Sequence, residues 1–300
     1  IILSMATLFQ QQPKQHLVKC PDLAIAEKRY RDNLDDCSHR LGGDHPDTIS
    51  AVNTLALLLF RSRKLEESEH LYRRALLANT RRHGEDHQET LASINNLAVV
   101  LKKEHKLEES EKLYRRALAG QERRLGPQHP DSLESVSNLA TLLKKSRKKK
   151  EAERFFRRAM LGRDIQLGGN HPDTLTSMSN LALFLSEQNG RLGEAESLHR
   201  RVCARWSKSR GIDHPGTLAA ITQLAQFLDV KRAKADPECA QEATRLYTRS
   251  YEGRKEKLGA DHPSTQFSYY LLDRFTQKTA RWTAENNNTL GSQLNNLNIF

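Results

Sequence analysis

HQETLASINNLAVVLKKEHKLEESEKLYRRALAGQERRLGPQ, residues 87–128, carries the architecture of this chain. Leu91, Ile94, Leu97, Ala98 and Leu101 recur at helical spacing. A short turn, LysLysGluHisLys, follows. Leu107, Ser110, Leu113, Tyr114, Ala117 and Leu118 then form a second apolar stripe. The stretch is a helical hairpin, and it recurs. The copy before it, from His45, is HPDTISAVNTLALLLFRSRKLEESEHLYRRALLANTRRHGED. The copy after it, from His129, is HPDSLESVSNLATLLKKSRKKKEAERFFRRAMLGRDIQLGGN. A marker histidine stands at 45, 87, 129, 171, 214 and 262, in steps of 42, 42, 42, 43 and 48. A fixed period of that size is the mark of a stacked repeat array, in which each unit buries its apolar face only against its neighbours.

Local signals bound each helix. The opening His-Pro-Asp-Thr starts the first one: proline fits the first helical position, and an acid suits the positive end of the dipole. Gln88 replaces that proline in one copy. Gly84, Gly126 and Gly168 stand where the second helix stops, as a left-handed cap requires. Ala98, Ser110 and Ala117 are small enough to let the two helices approach closely.

The ends of the chain are worn copies. Tyr30, Leu23 and Gly42 lie 42 residues before Tyr72, Leu65 and Gly84, so residues 22–41 are a second helix. Met5-Ala6-Thr7-Leu8-Phe9 resembles the end of a first helix, with an insertion around Pro13 and Pro21 between them. The fifth copy carries extra residues at its inter-helix turn, around Asp229–Pro237. The sixth decays: Asp273 replaces the repeated alanine and no second-helix pattern follows. The expected layout is a truncated repeat over 1–44, an array over 45–275, and a degenerate cap with an Asn-rich tail over 276–300. Disorder or a loose capping helix is expected from 285 onward.

Composition narrows the class. The formal charge is +11, and residues 102–158 alone hold 17 basic against 9 acidic side chains. Such a stripe favours acidic partners. Cys20, Cys37, Cys203 and Cys239 form no CxxC pair and do not follow the period, so free thiols in a reducing compartment are expected. No apolar run reaches membrane-spanning length, and the start lacks the basic region of a signal peptide. Because residue 1 is not Met, the chain is expected to begin inside a larger protein or an incomplete gene product.

Asn95-Asn96-Leu97-Ala98, Leu107-Glu108-Glu109-Ser110-Glu111 and Leu113-Tyr114-Arg115-Arg116-Ala117-Leu118 resemble a tetratricopeptide (TPR) repeat. The TPR landmarks fall on Leu97-Ala98, Leu101, Ser110, Tyr114 and Ala117. The ordinary TPR period is about 34 residues. A 42-residue period with a His-Pro-Asp opening and an NNLA box looks like the kinesin light chain type, also found in nephrocystin-like arrays. The heptad coiled coil by which kinesin light chains join the heavy chain has no counterpart in these residues.

The resemblance implies an all-α, right-handed superhelix of about six hairpins whose first helices line a concave groove. It implies a non-enzymatic cytoplasmic scaffold, possible association with the cytoskeleton, and protein partners such as acidic peptides, cargo adaptors or kinesin heavy chain. Groove-facing positions by resemblance are Asn53, Asn95, Asn96, Asn138 and Asn180, with Lys102, Lys103, Lys144 and Lys145 one turn later. An asparagine amide can clamp an extended main chain, and lysine pairs with carboxylates. Ser137 and Ser179 stand where Asn95 does, so the asparagine ladder is incomplete. Two plainer readings stay open: the asparagines bond neighbouring helices, and the lysines form a solvated face.

Two other functions also stay open: a nucleic-acid-binding array through 102–158, and the ligand-sensing arm of a larger receptor. The run Lys144-Lys145-Ser146-Arg147-Lys148-Lys149-Lys150 fits a nuclear import signal or, more simply, an exposed turn. The arginine pairs 73–74, 115–116, 157–158 and 200–201 are expected to cover the outer surface with their stems. No cofactor is expected. The marker histidines are expected to hold no metal, since neighbouring repeats stand about 10 Å apart and ligands must lie about 2 Å from a shared ion. No catalytic constellation is evident.

Overall fold

The structure, a computed structural model, describes residues 21–188, 190–231 and 236–297, with side chains from 23 to 282. Among the described residues there are twelve α-helices and no strand: α1 Pro21–Leu41, α2 Pro46–Arg61, α3 Leu65–His83, α4 Gln88–Lys103, α5 Leu107–Leu125, α6 Pro130–Lys145, α7 Lys149–Leu167, α8 Pro172–Ser186, α9 Leu192–Arg210, α10 Pro215–Lys231, α11 Pro237–Leu258 and α12 Pro263–Leu297. The fold is the expected all-α stack of helical hairpins. Its described residues pack as two compact units that divide between Gln166 and Leu167. In the first unit α1, α2, α3, α4, α5 and α6 pack each on the next. In the second, α8 to α12 do the same.

The marker histidines turn out to be helix caps. Nδ1 of His45, His87, His129 and His171 accepts a hydrogen bond from the backbone N–H two residues on, at 3.2, 3.3, 3.2 and 3.2 Å. His214 and His262 do the same for Gly216 and Ser264. The next element of the motif ties the cap to the preceding helix. Thr48, Thr90, Ser132, Thr174 and Thr217 are fully buried. Their hydroxyls donate to the carbonyls of Gly42, Gly84, Gly126, Gly168 and Gly211 at 2.7–2.9 Å. Gly-x-x-His-x-x-Thr/Ser is therefore one hydrogen-bonded junction.

The capping glycines differ in detail from the expected left-handed cap. Their φ is positive, near 86 and 90° at Gly84 and Gly126, but ψ is 174 and 161°. This is an extended region open essentially to glycine alone. Left-handed backbone occurs instead in the inter-helix turn, at Arg63, His105 and Arg147 with φ of 62, 65 and 60°.

Between the helices of a hairpin the small residues do as expected, and more. Ala56, Ala98, Ser68 and Ser110 are completely buried. The hydroxyls of Ser68 and Ser110 also donate to the carbonyls of Ala56 and Ala98 at 2.8 and 2.7 Å. Tyr72, Tyr114 and Tyr247 are the large plugs of the core. His199 takes the equivalent place in the fourth repeat, 2 % exposed and tilted against Phe227.

The worn copies resolve as follows. Residues 21–41 form the second helix α1, and residues 5–13 lie outside the described ones. The expected insertion in the fifth repeat begins as helix, since α10 continues to Lys231 and buries Asp229. Lys278 and Arg274 of α12 pair with that carboxylate at 2.5 and 3.4 Å, and Tyr247 of α11 donates to it at 3.4 Å. Of the two expectations for the tail, disorder or a capping helix, the backbone follows the second: α12 is one continuous helix of 35 residues up to Leu297.

Candidate functional site

The asparagines do not form one uniform row. Asn95 is half-buried, and its amide is already engaged: Nδ2 donates to Ser135 Oγ on the next first helix at 3.1 Å. Ser93 stands in register with Ser135, but it is occupied by Asn79, which donates to it at 2.8 Å. Asn53, in register with Asn95, keeps a buried Oδ1 with no hydrogen-bond partner among the described residues. Asn138 is buried, while Asn96 and Asn180 are half-buried. Asn180 belongs to the second unit and the others to the first. Asn79, on a second helix, was not signalled by the repeat, because the in-register positions hold Gln121 and Arg163.

Three of the four lysines come together. Lys145 Nζ donates to the carbonyl of Lys102 at 2.7 Å, bridging the C-terminal ends of α4 and α6. Burial lowers Lys102 to about 8, and the positive charges of Lys103 and Lys145 add to the effect. Burial and Lys103 lower Lys145 as well. The Lys102 ammonium lies 5.7 Å from the ring centre of the buried Tyr114, a cation–π contact. Among the described residues no carboxylate pairs with Lys102, Lys103 or Lys145. Lys144 is engaged within the chain.

That contrasts with the lysines of the inter-helix turns. Lys64, Lys106 and Lys148 reach Glu27, Glu69 and Glu111 of the preceding repeat at 2.8, 2.6 and 2.8 Å. The first arginine of three of the pairs extends this ladder. Arg73 pairs with Glu69 and with Glu109 of the next repeat, at 2.7 and 2.6 Å. Arg115 joins Glu111 to Glu151, and Arg200 joins Glu196 to Glu242. The second arginines reach back to the previous repeat, Arg74 to Ser38 and Arg158 to Glu122. Most of the arginines expected to serve as surface cover are thus inter-repeat ties, whereas Arg157 pairs with Glu153 of its own helix. Two clefts, of about 530 and 320 Å³, lie along this ladder, lined by Lys64, Glu67, Glu104 and Lys106 in the first and by Arg31, Glu67 and His70 in the second. None of the expected groove residues lines either.

Comparison with known proteins fits this geometry. Tetratricopeptide repeat family models match residues 48–89, 89–160 and 174–216, which together make up about half of the chain. The chain is a tetratricopeptide repeat protein. The nearly identical TPR-like repeats of a Podosopora anserina putative kinesin light chain are similar to this TPR chain in structure, at 23 % identity and a TM-score of 0.60, over 71 % of this chain and 98 % of that one. BtubC (BKLC) from P. vanneervenii matches at 17 % identity and a TM-score of 0.64, over 81 % of this chain and 95 % of that one. A Rap protein complexed with Competence and Sporulation Factor matches at 14 % identity and a TM-score of 0.52, over 87 % and 72 %. No curated protein matches the sequence.

Elsewhere the TPR protein offers little reactive chemistry among its described residues. Burial pushes the Cys203 thiol up to about 12 and the Cys239 thiol up to about 11, which keeps both protonated. Cys37 is likewise a free cysteine. No helix among the described residues is long and apolar enough to cross a membrane.

Proposed function

We propose that this TPR protein is a non-enzymatic interaction scaffold, and that its first unit holds an extended acidic segment of a partner protein along the first helices α2, α4 and α6. The observation behind this reading is the lysine cluster. Lys102, Lys103 and Lys145 crowd together without an acid, although Lys64, Lys106 and Lys148 of the same unit each have one. Mutual repulsion and partial burial are a standing cost that an anionic ligand relieves. Asn53, Asn96 and Asn138, on the same first helices, are proposed to meet the ligand main chain. Asn95 is already spent on Ser135 of the next first helix. Asn180, in the second unit, is proposed for the same use there. A cargo-adaptor role like that of kinesin light chains is the extension of this reading that the family suggests, and the Rap complex shows another member of the fold holding a factor.

The test is fluorescence polarisation with a labelled acidic peptide carrying one aromatic residue, against wild type and the triple variant Lys102→Glu, Lys103→Glu, Lys145→Glu. Charge reversal should weaken binding about tenfold or more. Equal binding by both proteins refutes the lysine cluster as the recognition surface. Preferential binding to generic nucleic acid, falling steeply with salt, would transfer the function to the basic segment 102–158.

A further inference from the structure

One junction departs from the chain's own pattern in three neighbouring positions. The residue before the capping glycine is Leu41, Leu125, Leu167 and Leu258 at four junctions and Arg210 at a fifth, but His83 between α3 and α4. The residue after the marker histidine is proline at the other five junctions and Gln88 here. The next residue is Asp47, Asp131 and Asp173 in the other well-formed copies and the longer Glu89 here. The outcome is a cluster absent from the other junctions among the described residues. The rings of His83 and His87 stack with centroids 4.3 Å apart. Nε2 of His83 lies 3.2 Å from Glu89 Oε2. One ligating atom from each of the three residues falls within 4.8 Å of the others.

We propose that His83, His87 and Glu89 bind a divalent transition-metal ion of the zinc class. Two imidazoles and one carboxylate are a donor set that such ions take, with a further position left open. Ligands about 2.0–2.2 Å from a shared tetrahedral ion stand about 3.3 Å from one another, so closing the site needs only side-chain rotation. The cluster is solvent-accessible, with His83 and Glu89 exposed and His87 half-buried. The cap does not compete for the ion. Nδ1 of His87 is committed to the Glu89 N–H at 3.3 Å, which leaves Nε2 for the metal and fixes the ring. The ion would staple the last residue of α3 to the first turn of α4. The spacing objection to metal holds between repeats, but it does not reach His83 and His87, which are four residues apart across a glycine turn.

The experiment is titration of tag-free protein with Co²⁺, followed by its visible absorption and displaced with Zn²⁺, together with thermal unfolding with and without Zn²⁺. The key variant is His83→Leu, which installs the residue that four other junctions carry and so keeps the fold; circular dichroism verifies this. Wild type should bind one equivalent more tightly than the remaining histidines do, and Zn²⁺ should raise its Tm. His83→Leu should lose that equivalent, by roughly tenfold or more in affinity, and its Tm should not respond. Glu89→Asp, a cap residue already used elsewhere, should fall between the two. The same stoichiometry and affinity in wild type and His83→Leu overturns the proposal, as does a wild type with no equivalent tighter than millimolar.

Discussion

Replacing Lys102 with methionine should make the free protein more stable. The methionine keeps an apolar stem of similar length and removes only the charge. Lys102 is lowered from the ordinary 10.5 to about 8, first by burial and then by Lys103 and Lys145. At about 1.4 kcal/mol per pH unit, that displacement is a penalty of up to about 3 kcal/mol on the folded state. The contact with Tyr114 at 5.7 Å is lost with the charge. It is worth about 0.5–1 kcal/mol, which leaves a net gain of about 2 kcal/mol at pH 7. The sign in pH follows from the direction of the shift. Below the folded value near 8 both states carry the proton and the penalty is complete. Between there and 10.5 the folded wild type releases its proton first, so its stability rises toward that of the variant. Urea unfolding of both proteins at pH 7 and pH 10.5, with m-values compared, measures the difference directly. A variant no more stable than wild type at pH 7, or one whose advantage is unchanged at pH 10.5, refutes the reasoning. The outcome concerns the charge cluster alone and stands whatever ligand it serves.

Two further outcomes are expected. Thr90→Val keeps the buried shape but removes the hydroxyl that donates to Gly84 at 2.7 Å, and urea unfolding should show a loss of about 1–2 kcal/mol. Thr90→Ser should restore most of it, since Ser132 makes the same bond at the next junction at 2.8 Å. In the second unit, burial lowers His199 to about 4, so the folded state keeps this imidazole neutral while the unfolded chain protonates it. Stability from this site is complete above the ordinary value near 6.5 and drains away as pH falls toward 4. His199→Phe, the residue type of Phe156 in the preceding repeat, should therefore gain about 2 kcal/mol relative to wild type near pH 5 and much less near pH 7.5. Fluorescence-detected unfolding at the two pH values checks this.

Much of the fold was legible in the letters, because each repeat states its own helices. Leu91, Ile94, Leu97 and Leu101 mark one buried stripe, Leu107, Tyr114 and Leu118 the other, and Pro130 and Gly126 the breaks between them. These are local, periodic signals that every copy repeats. The candidate site was legible only as residue types. The sequence placed Asn95 and Asn53 in one class, but Asn95 is consumed by Ser135 while Asn53 retains an unpaired oxygen. That split depends on which hydroxyl the neighbouring helix presents, a contact between residues about forty positions apart.

The same division runs through the whole protein. Sequence by itself determined the hairpin, its period, its family and the basic bias of residues 102–158, since these follow from propensity, apolar spacing and counting. Tertiary structure alone decided which charges are satisfied and which are left over. Lys106 and Lys102 are four residues apart and chemically identical, yet one meets Glu69 and Glu104 and the other meets only like charge and an aromatic ring. Coulomb energy and desolvation depend on distance and exposure in space, and a one-dimensional pattern carries neither.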